Sequence, residues 1–504
     1  MQRYQPVPMP STLAGRNSAE EKVLTIDTIN PKVKNVQYAV RGELAIKAEE
    51  LKAKLTQGAK DLPFSTIVNC NIGNPQQLKQ PPITFFRQVA ALTEYPELLK
   101  PEHEALVSQL FPDDAVRRAR ELLASAGNAI GAYSHSQGIQ TIREHVAEFI
   151  EARDGFPANP NDIYLTAGAS TGVQQILQLL ISSDHVGVMI PIPQYPLYTA
   201  SLALFDAHPV PYYLDESKEW SMDLPGLERS LRRARSNGID VRALVIINPG
   251  NPTGQCLIEE NMREVIEFCY SNKLVLLADE VYQTNVYYPE QRPFHSFKKM
   301  VRSARPEIRD NLELISFHSI SKGVVGECGR RGGYFECVNL DDAVMGQVYK
   351  MASVNLCPNV QGQLLVDLMV RPPVQGDASY PLYRQETQGI YDSLKRRSQK
   401  LSKAFNEMEG ITCNSAEGAM YVFPQIQLPA KAVKAAEQVG KKPDDFYCLR
   451  MLDATGVCVI PGSGFGQKDG TYHFRSTFLP PENLFDTFIA NLKTFHHQFM
   501  QEYS

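Results

Sequence analysis

The stretch ALVIINPGNPTGQCLIEENMREVIEFCYSNKLVLLAD, residues 243–279, predicts the fold of this chain. It begins and ends with short, continuous apolar runs, and residues 259–272 between them have the apolar spacing of an amphipathic helix. Continuous apolar runs joined by amphipathic helices are typical of a parallel sheet that helices cover on both faces. We therefore expect an α/β fold.

The same alternation extends from about residue 160 to about residue 340. Further strands are expected at DIYLTAG (162–168), HVGVMIPI (185–192), HPVPYYL (208–214) and ELISFHS (313–319), and a further helix at 170–183. After about residue 365 a proline-rich loop, a long polar helix and several short apolar runs indicate a second, smaller α+β domain. The first 40 residues are polar and aperiodic, and we interpret them as an arm.

The composition excludes several classes of function. The chain has 504 residues, 43% hydrophobic and 21% charged, which is ordinary for a globular protein with more than one lobe. Its net charge of −5 gives no basic surplus, so we expect no nucleic-acid partner. No apolar run approaches the roughly 18 residues of a transmembrane helix, so we expect no membrane partner. The nine cysteines have no metal-ligand spacing, and we expect reduced thiols and no metal site.

The N-terminal residues bear on the compartment. They contain no apolar core of a secretory signal, and the absence of an amphipathic basic helix favours the cytoplasm. Acidic residues are absent before Glu20, while Arg3 and Arg16 are present, so a presequence for the mitochondrial matrix is the alternative.

Polar motifs follow the predicted strands, at the edge where ligands bind in open α/β sheets. In TAGAST, residues 166–171, backbone N–H groups, the helix dipole and the Ser170 hydroxyl can hold a phosphate, although an ordinary helix N-cap is the alternative. In INPGNPTG, residues 247–254, tight turns would project the Asn251 amide over the sheet edge, although a turn alone explains the prolines and glycines.

LLADEVYQ, residues 276–283, places Asp279 at the end of an apolar strand, where a carboxylate needs a cationic partner. A protonated pyridine nitrogen is a suitable partner. We expect Tyr282 on the same helical face, with its phenol toward the oxygen of that ring. The alternative is a helix-start cap, for which Glu280 is the stronger candidate.

ISFHSISKGVVGECGRRGG, residues 315–333, contains Lys322 in a turn after an apolar run. A lysine amine attacks a carbonyl when burial or a nearby cation lowers its pKa, and two arginines follow here. Ser319 and Arg331 can hold a phosphate. Alone, such a lysine is more often a solvated charge. Together with the three preceding motifs it predicts a site for pyridoxal phosphate.

NPGNPTG, ADEVYQ, HSISKG and RGGY resemble the fold-type-I aminotransferases, and AYSHSQG, IPIPQYPLY, GECGRRGG and PGSGFGQ resemble their alanine aminotransferase branch. The resemblance covers the chain from about residue 35. It implies a mostly parallel seven-stranded sheet between helices in a large domain, and a homodimer. We expect an arm at 1–40, a small domain from 41–105 and 366–504, and the large domain at 106–365.

The resemblance assigns roles residue by residue. Lys322 would form the Schiff base with pyridoxal 5′-phosphate and carry the proton, Asp279 would pair with the pyridine nitrogen, and Tyr282 and Asn251 would contact the ring oxygen. Tyr195 would stack on the ring. The phosphate site would comprise Gly168, Ala169, Ser170, Ser319 and Arg331, together with Tyr133 of the neighbouring subunit. Arg475 would bind the substrate α-carboxylate through a bidentate contact, with Asn251 and the backbone of Gly73 beside it.

Three positions depart from the pattern of the branch. Arg330 stands where an uncharged residue is usual, so we assign the phosphate contact to Arg331 and expect Arg330 either to be solvated or to support the residues that contact the phosphate. Val324 and Val325 replace larger residues, which concerns local packing.

The resemblance implies a ping-pong reaction of L-alanine and 2-oxoglutarate to pyruvate and L-glutamate, through the Lys322 Schiff base. A glutamate:glyoxylate-type aminotransferase is the alternative, because the cofactor residues do not set the keto-acid preference. A dinucleotide-dependent oxidoreductase, suggested by PGSGFG at 461–466, is disfavoured because the following residues are typical of a turn and a strand. A non-catalytic regulator is disfavoured by the complete set of Lys322, Asp279 and Arg475.

Two polar segments are predicted to lie at the surface. They are His496 and His497 on the C-terminal helix, and KRRSQK, residues 395–400, on a solvated helix face.

Overall fold

The computed structural model describes residues 23–38 and 42–504. The N-terminal segment on which the mitochondrial alternative rests, residues 1–22, lies outside the described residues, as does part of the expected arm.

The helices of the described residues are α1 Pro31–Lys34, α2 Glu43–Thr56, α3 Thr84–Glu94, α4 Glu104–Leu110, α5 Asp113–Ser125, α6 Gln140–Asp154, α7 Ala169–Leu180, α8 Leu197–Phe205, α9 Leu224–Ser236, α10 Glu259–Asn272, α11 Phe297–Arg302, α12 Pro306–Arg309, α13 Asp342–Val354, α14 Val360–Val370, α15 Tyr380–Asn406, α16 Ala430–Gln438, α17 Pro443–Thr455 and α18 Phe485–Tyr503.

The strands are β1 Val68–Asn69, β2 Ile163–Thr166, β3 Val186–Ile192, β4 His208–Asp215, β5 Ser221–Met222, β6 Asp240–Ile247, β7 Val275–Asp279, β8 Leu314–Ser319, β9 Gly333–Val338, β10 Ile411–Thr412, β11 Tyr421–Val422, β12 Gln425–Ile426, β13 Val457–Cys458, β14 Ile460–Pro461 and β15 Phe474–Thr477.

The large central sheet has the strand order β2-β9-β8-β7-β6-β3-β4-β5. The pairs β8–β7, β7–β6, β6–β3 and β3–β4 are parallel, whereas β9 is antiparallel to both of its neighbours. The α/β prediction is therefore confirmed. The resemblance implied seven strands and the sheet has eight: the six that were located in the sequence, β9, and the two-residue β5, which extends the edge beyond β4.

Apolar layers cover both faces of this sheet, because successive strand residues point to opposite faces. On β6, Leu244 and Ile246 belong to the core on one face, and Ala243, Val245 and Ile247 belong to the core on the other. This double coverage explains why β6 and β7 have continuous apolar sequences.

Three small sheets lie outside the central one. β1 pairs in parallel with β13, β10 pairs with β12, and β15 lies between β11 and β14. One extensive apolar core contains residues of α2 and α3 together with residues of α15, α17 and α18. The N-terminal and C-terminal parts of the chain therefore pack against each other.

The long and terminal helices correct two predictions. His496 is 3% exposed, and its ring contacts the Tyr447 hydroxyl at 3.0 Å and the Glu409 carbonyl at 2.7 Å, so its predicted surface position is wrong, while His497 is exposed as expected. Residues 395–400 do not form a fully solvated face either, because Arg397 is buried and donates to the Leu479 and Pro480 carbonyls.

The nine cysteines are free thiols. Among the described residues, none of the helices combines the length and the apolar character that a membrane crossing requires.

Candidate functional site

Most of the predicted cofactor residues lie at or after the carboxyl ends of strands that meet at one edge of the central sheet. These strands are β2, β3, β6, β7 and β8, and β9, which runs the other way, begins at this edge just after Arg331. Arg475 on β15, Gly73 after β1 and Tyr133 before α6 come from other parts of the chain. Such an edge is where open α/β sheets bind ligands. The fold therefore brings together residues that are far apart in sequence.

Lys322 lies three residues after the end of β8, and its side chain is partly buried. Its Nζ donates to the Gly73 carbonyl oxygen at 2.8 Å and lies 5.9 Å from the centre of the Tyr282 ring. A Cβ at Gly73 would lie 2.1 Å from the Tyr421 hydroxyl, so only glycine allows this approach. The backbone of the loop that follows β1 thus holds the amine of Lys322 in place.

The turn between β2 and α7 carries three of the residues that were predicted to hold a phosphate, Gly168, Ala169 and Ser170. Gly168 adopts a φ of +86°, and a Cβ there would lie 2.2 Å from Nη2 of Arg331. That nitrogen donates to the Ser170 hydroxyl and to the Ala167 carbonyl, both at 3.1 Å. Ala169 opens helix α7, whose first backbone N–H groups have no partner within the helix. Ser319, at the end of β8, is buried.

The two arginines of GECGRRGG differ as expected. Arg330 is exposed, whereas Arg331 reaches the N-terminus of α7. Val324 and Val325 pack against the large apolar core.

Asp279 is the last residue of β7 and is 5% exposed. Its carboxylate accepts hydrogen bonds from the Tyr198 hydroxyl at 3.0 Å and from the Val281 backbone N–H at 3.4 Å. Burial raises the pKa of Asp279 to about 6, against the opposing effects of these hydrogen bonds and of the Lys322 charge. A cation beside this carboxylate would relieve its desolvation.

No helix begins after β7, which corrects two expectations. Residues 281–284 form turns, so Tyr282 reaches the site from a turn and not from a helical face. Glu280 caps no helix: it is 1% exposed, and its side chain accepts the Phe297 backbone N–H at 2.7 Å.

A chain of hydrogen bonds connects the donors predicted for the ring oxygen. The Asn251 amide donates to the Tyr282 hydroxyl at 3.3 Å, and that hydroxyl donates to the Tyr421 hydroxyl at 3.1 Å. Burial alone would raise the pKa of Tyr421, but the charges of Lys322 and Arg475 and its hydrogen bonds lower the pKa overall.

Arg475 lies on β15 and is 1% exposed. Its guanidinium carbon lies 4.2 Å from the centre of the Tyr421 ring and 4.6 Å from that of Phe465, so the group is held between two aromatic faces. It donates to Asn251 Oδ1 at 2.9 Å and to the Asn71 carbonyl, while its Nε has no partner. This buried cation is suited to bind a carboxylate.

Tyr195 and Tyr133 differ in position. Tyr195, after β3, is partly buried, packs on the same apolar cluster as Phe465, and so lies at the site. Tyr133 is 78% exposed and lines a separate surface pocket with Ser134 and His135. Within one chain, Tyr133 is thus on the outside.

These residues fit a phosphorylated pyridine aldehyde. The glycine-lined turn with Ser170 and Arg331 offers donors to a phosphate, and the Nζ of Lys322 lies 5.9 Å from the centre of the Tyr282 ring. Among the described residues, Asp279 forms no salt bridge, so its buried carboxylate can take a cationic partner. The unpartnered Nε of Arg475 leaves a donor free for a second anion.

Two residues of the site were not predicted. Tyr198 holds Asp279, and Tyr421 contacts Tyr282 and Arg475. Tyr198 could have been predicted from QYPLY, because it lies three residues after Tyr195 in the first turn of α8, and that helix follows a strand that ends at the site. Nothing in the sequence around Tyr421 indicates a role at the site, because its strand has only two residues and is far in sequence from the other site residues.

Comparisons with known proteins agree with this geometry. The profile of the family "Aminotransferase class I and II" matches residues 105–489. The chain is 55% identical to the probable mitochondrial alanine aminotransferase of Dictyostelium discoideum, over 96% of this chain and 90% of that protein. It is 50% identical to glutamate–glyoxylate aminotransferase 1 of Arabidopsis thaliana, over 96% of this chain and 98% of that protein.

Among solved structures, an alanine aminotransferase from Pyrococcus furiosus has a TM-score of 0.72, covering 93% of this chain and 99% of that one at 21% identity. This likeness concerns the fold alone, and it confirms the expected architecture.

Proposed function

Because the chain belongs to the class I and II aminotransferase family, whose members generally use pyridoxal 5′-phosphate, we propose that it converts L-alanine and 2-oxoglutarate into pyruvate and L-glutamate with that cofactor. The observation that carries the proposal is the meeting of Lys322, Asp279 and Arg475 at one edge of the central sheet. The identity of more than half to an alanine aminotransferase supports the choice of amino acid.

The proposed roles of the side chains follow from their chemistry. Arg475 binds the α-carboxylate through its guanidinium group, which is already oriented by Asn251 and two aromatic rings. The Nζ of Lys322 removes the proton from the substrate Cα, and the Gly73 carbonyl orients that amine. When bound, pyridoxal phosphate supplies the electron sink for the negative charge at Cα.

Further residues would hold the cofactor. Asp279 would keep the pyridine nitrogen protonated, Asn251 and Tyr282 would donate to the ring oxygen, and Tyr195 would stack on the ring. The phosphate would be held by Gly168, Ala169, Ser170, Ser319 and Arg331. Tyr133 would reach the phosphate of a neighbouring subunit, which its exposure permits, so the active form would be a homodimer.

A second candidate is the glutamate–glyoxylate reaction. The relative from Arabidopsis thaliana with that name is 50% identical over nearly the whole chain, and the residues that would hold the cofactor do not discriminate between keto acids. The acceptor is therefore the part of the proposal that most needs an assay.

The assay is direct. The purified holoenzyme is supplied with L-alanine and either 2-oxoglutarate or glyoxylate, and pyruvate is followed. We expect pyruvate with 2-oxoglutarate, and Lys322→Ala should abolish it, while Lys400→Ala on the exposed face of α15 should retain it. Brisk turnover of another amino donor without turnover of alanine would refute the substrate assignment, and an active Lys322→Ala variant would refute the mechanism.

The cytoplasmic location stays a prediction. The alternative is the mitochondrial matrix, and the Dictyostelium discoideum relative is named as a mitochondrial protein. Fractionation of cells that express the full chain distinguishes the two.

A further inference from the structure

Tyr38 connects the segment of residues 23–38 to the site. Its hydroxyl oxygen lies 2.5 Å from that of Tyr195, and the two rings meet edge to face with centres 6.2 Å apart. Tyrosine hydroxyls find a partner when they are withdrawn from water, and each of these satisfies the other. Tyr195 is therefore not held by its own loop alone.

Tyr38 also covers an aromatic cluster formed by Trp220, Phe423, Ile460 and Phe465. Ile72 and Tyr195 pack against the same cluster. Phe465 carries the guanidinium of Arg475 on its ring, and its carbonyl accepts the backbone N–H of Gln194, next to Tyr195. Tyr38 thus lies on the wall that also holds the carboxylate-binding arginine.

The segment that bears Tyr38 is attached to the central lobe. Helix α1 packs against α8, which begins two residues after Tyr195. Lys32 Nζ lies 3.0 Å from Asp206 at the end of α8, but both side chains are substantially exposed, so this ion pair contributes little. Packing and the hydroxyl contact therefore determine where Tyr38 lies.

In the proposed function Arg475 binds the carboxylate and Lys322 acts at Cα, so the substituent on Cα is left to the surfaces beside these two residues. Ile72 and Tyr38 pack on the cluster that contains Phe465, whose ring contacts Arg475. The cleft on the outer side of Tyr38 is lined by Leu44, Asn71 and Ile460, and it is open to solvent.

We propose that Tyr38 is a positioning residue that closes the amino-acid site, holds Tyr195 in place and restricts the substrate to small side chains. This inference rests on the proposed aminotransferase function. A residue that narrows a binding pocket excludes substrates whose side chains are too large for it. Substrates that differ by one methylene in such a pocket differ in kcat/KM by about 10–200-fold.

The test compares kcat/KM for L-alanine and L-leucine in the holoenzyme, with 2-oxoglutarate as acceptor. We expect Tyr38→Ala to raise the leucine-to-alanine ratio at least about tenfold. Tyr38→Phe keeps the wall and loses one hydrogen bond, so we expect the same ratio and a loss of about fivefold in kcat/KM for alanine. Val33→Ala, an exposed position on α1, is the matched control and should behave as the wild type.

A second readout does not depend on turnover. Trp220 is the single tryptophan of the chain, belongs to this cluster and is 4% exposed, so the quenching of its fluorescence by acrylamide reports whether the cluster is covered. Tyr38→Ala should increase the quenching, and Tyr38→Phe and Val33→Ala should not.

An unchanged leucine-to-alanine ratio or unchanged quenching in Tyr38→Ala overturns the inference. If Tyr38→Ala does not fold, Tyr38→Phe decides, and a wild-type kcat/KM for alanine in that variant overturns it. If the wild-type protein does not use alanine at all, the proposed function fails instead, and the two failures are distinct.

Discussion

At the scale of residues, the neighbouring carboxylates Asp279 and Glu280 are separated by the strand geometry. Asp279 lies at the proposed cofactor site, and Glu280 accepts the backbone N–H of Phe297 in the buried interior. Burial raises the pKa of Glu280 to about 8, although the charge of Arg153 opposes the rise. We therefore expect Glu280 to be protonated at neutral pH in the folded protein.

This shift predicts a pH dependence of stability. The pKa of Glu280 is about 8 in the folded protein and 4.5 in the unfolded chain, so the carboxyl stabilises the fold fully below pH 4.5. This stabilisation is lost as the pH rises through about 8. Between pH 5 and pH 8 the wild type should therefore lose unfolding free energy relative to Glu280→Gln, by up to about 1.4 kcal/mol per pH unit. In thermal unfolding, the midpoint of Glu280→Gln should rise relative to that of the wild type over this range.

The comparison isolates Glu280 from its surroundings. Burial lowers the pKa of the nearby His318 to about 3, which has the opposite effect on stability, but His318 is present in both proteins and cancels. Glu437→Gln, at an exposed position of α16, should give a difference from the wild type that does not vary with pH. A pH-independent difference for Glu280→Gln as well would show that its carboxyl is not protonated in the interior.

Individual residues were predictable where local sequence restricts them. Asp279 and Lys322 follow apolar strands, so their positions at the sheet edge could be derived from the sequence. His496 could have been placed in the core as well, because it lies four residues after the buried Leu492 on α18. Tyr421 and Tyr38 could not, since their roles arise from contacts with residues more than a hundred positions away.

At the scale of elements, the turn between β2 and α7 has a shape that only glycine supports. Gly168 combines a φ of +86° with a position where a Cβ would collide with Arg331. The turn therefore fixes both the start of α7 and the orientation of the guanidinium group.

Gly168→Ala should weaken binding of pyridoxal phosphate at least about tenfold, because backbone strain of about 1–3 kcal/mol and the displaced arginine both act on this turn. Gly238→Ala is the matched control, since Gly238 has a φ of +80° but a Cβ there meets nothing within 4 Å. Titration of the cofactor-free proteins by absorbance measures the effect. Equal affinities in the two variants would contradict the role of this turn.

Elements with an uninterrupted pattern were predicted well, and one interrupted strand was not. Helix α10 was expected at 259–272, which is where it lies. Strand β9 was missed, because Gly332 precedes it, Gly333 is its first residue, and the buried Glu336 breaks its apolar run. In the structure Lys298 of α11 forms an ion pair with Glu336, but nothing in the sequence indicates this pairing.

At the scale of the whole molecule, the ion pair between Lys298 and Glu336 joins α11 to the central sheet. Both side chains are almost completely buried, at 1% and 3% exposure. Lys298→Met should destabilise the protein by about 3–5 kcal/mol, because it leaves the carboxylate of Glu336 buried without its partner. Lys400→Met, which breaks the exposed pair with Asp486, should cost no more than about 1 kcal/mol.

Thermal unfolding of the two variants beside the wild type measures this contrast. Similar midpoints for Lys298→Met and Lys400→Met would show that the buried pair does not support the sheet. The expected arm and domain limits stay predictions, which limited proteolysis can examine.

The central claim is that Lys322 forms the bond to pyridoxal phosphate. The holoenzyme is reduced with borohydride and digested, and the peptides are examined by mass spectrometry. We predict one pyridoxyl-phosphate adduct, on the peptide that contains Lys322, and none on that peptide when L-alanine is added in excess before reduction. An adduct confined to another lysine, or no adduct at all in protein that binds the cofactor, would contradict the account.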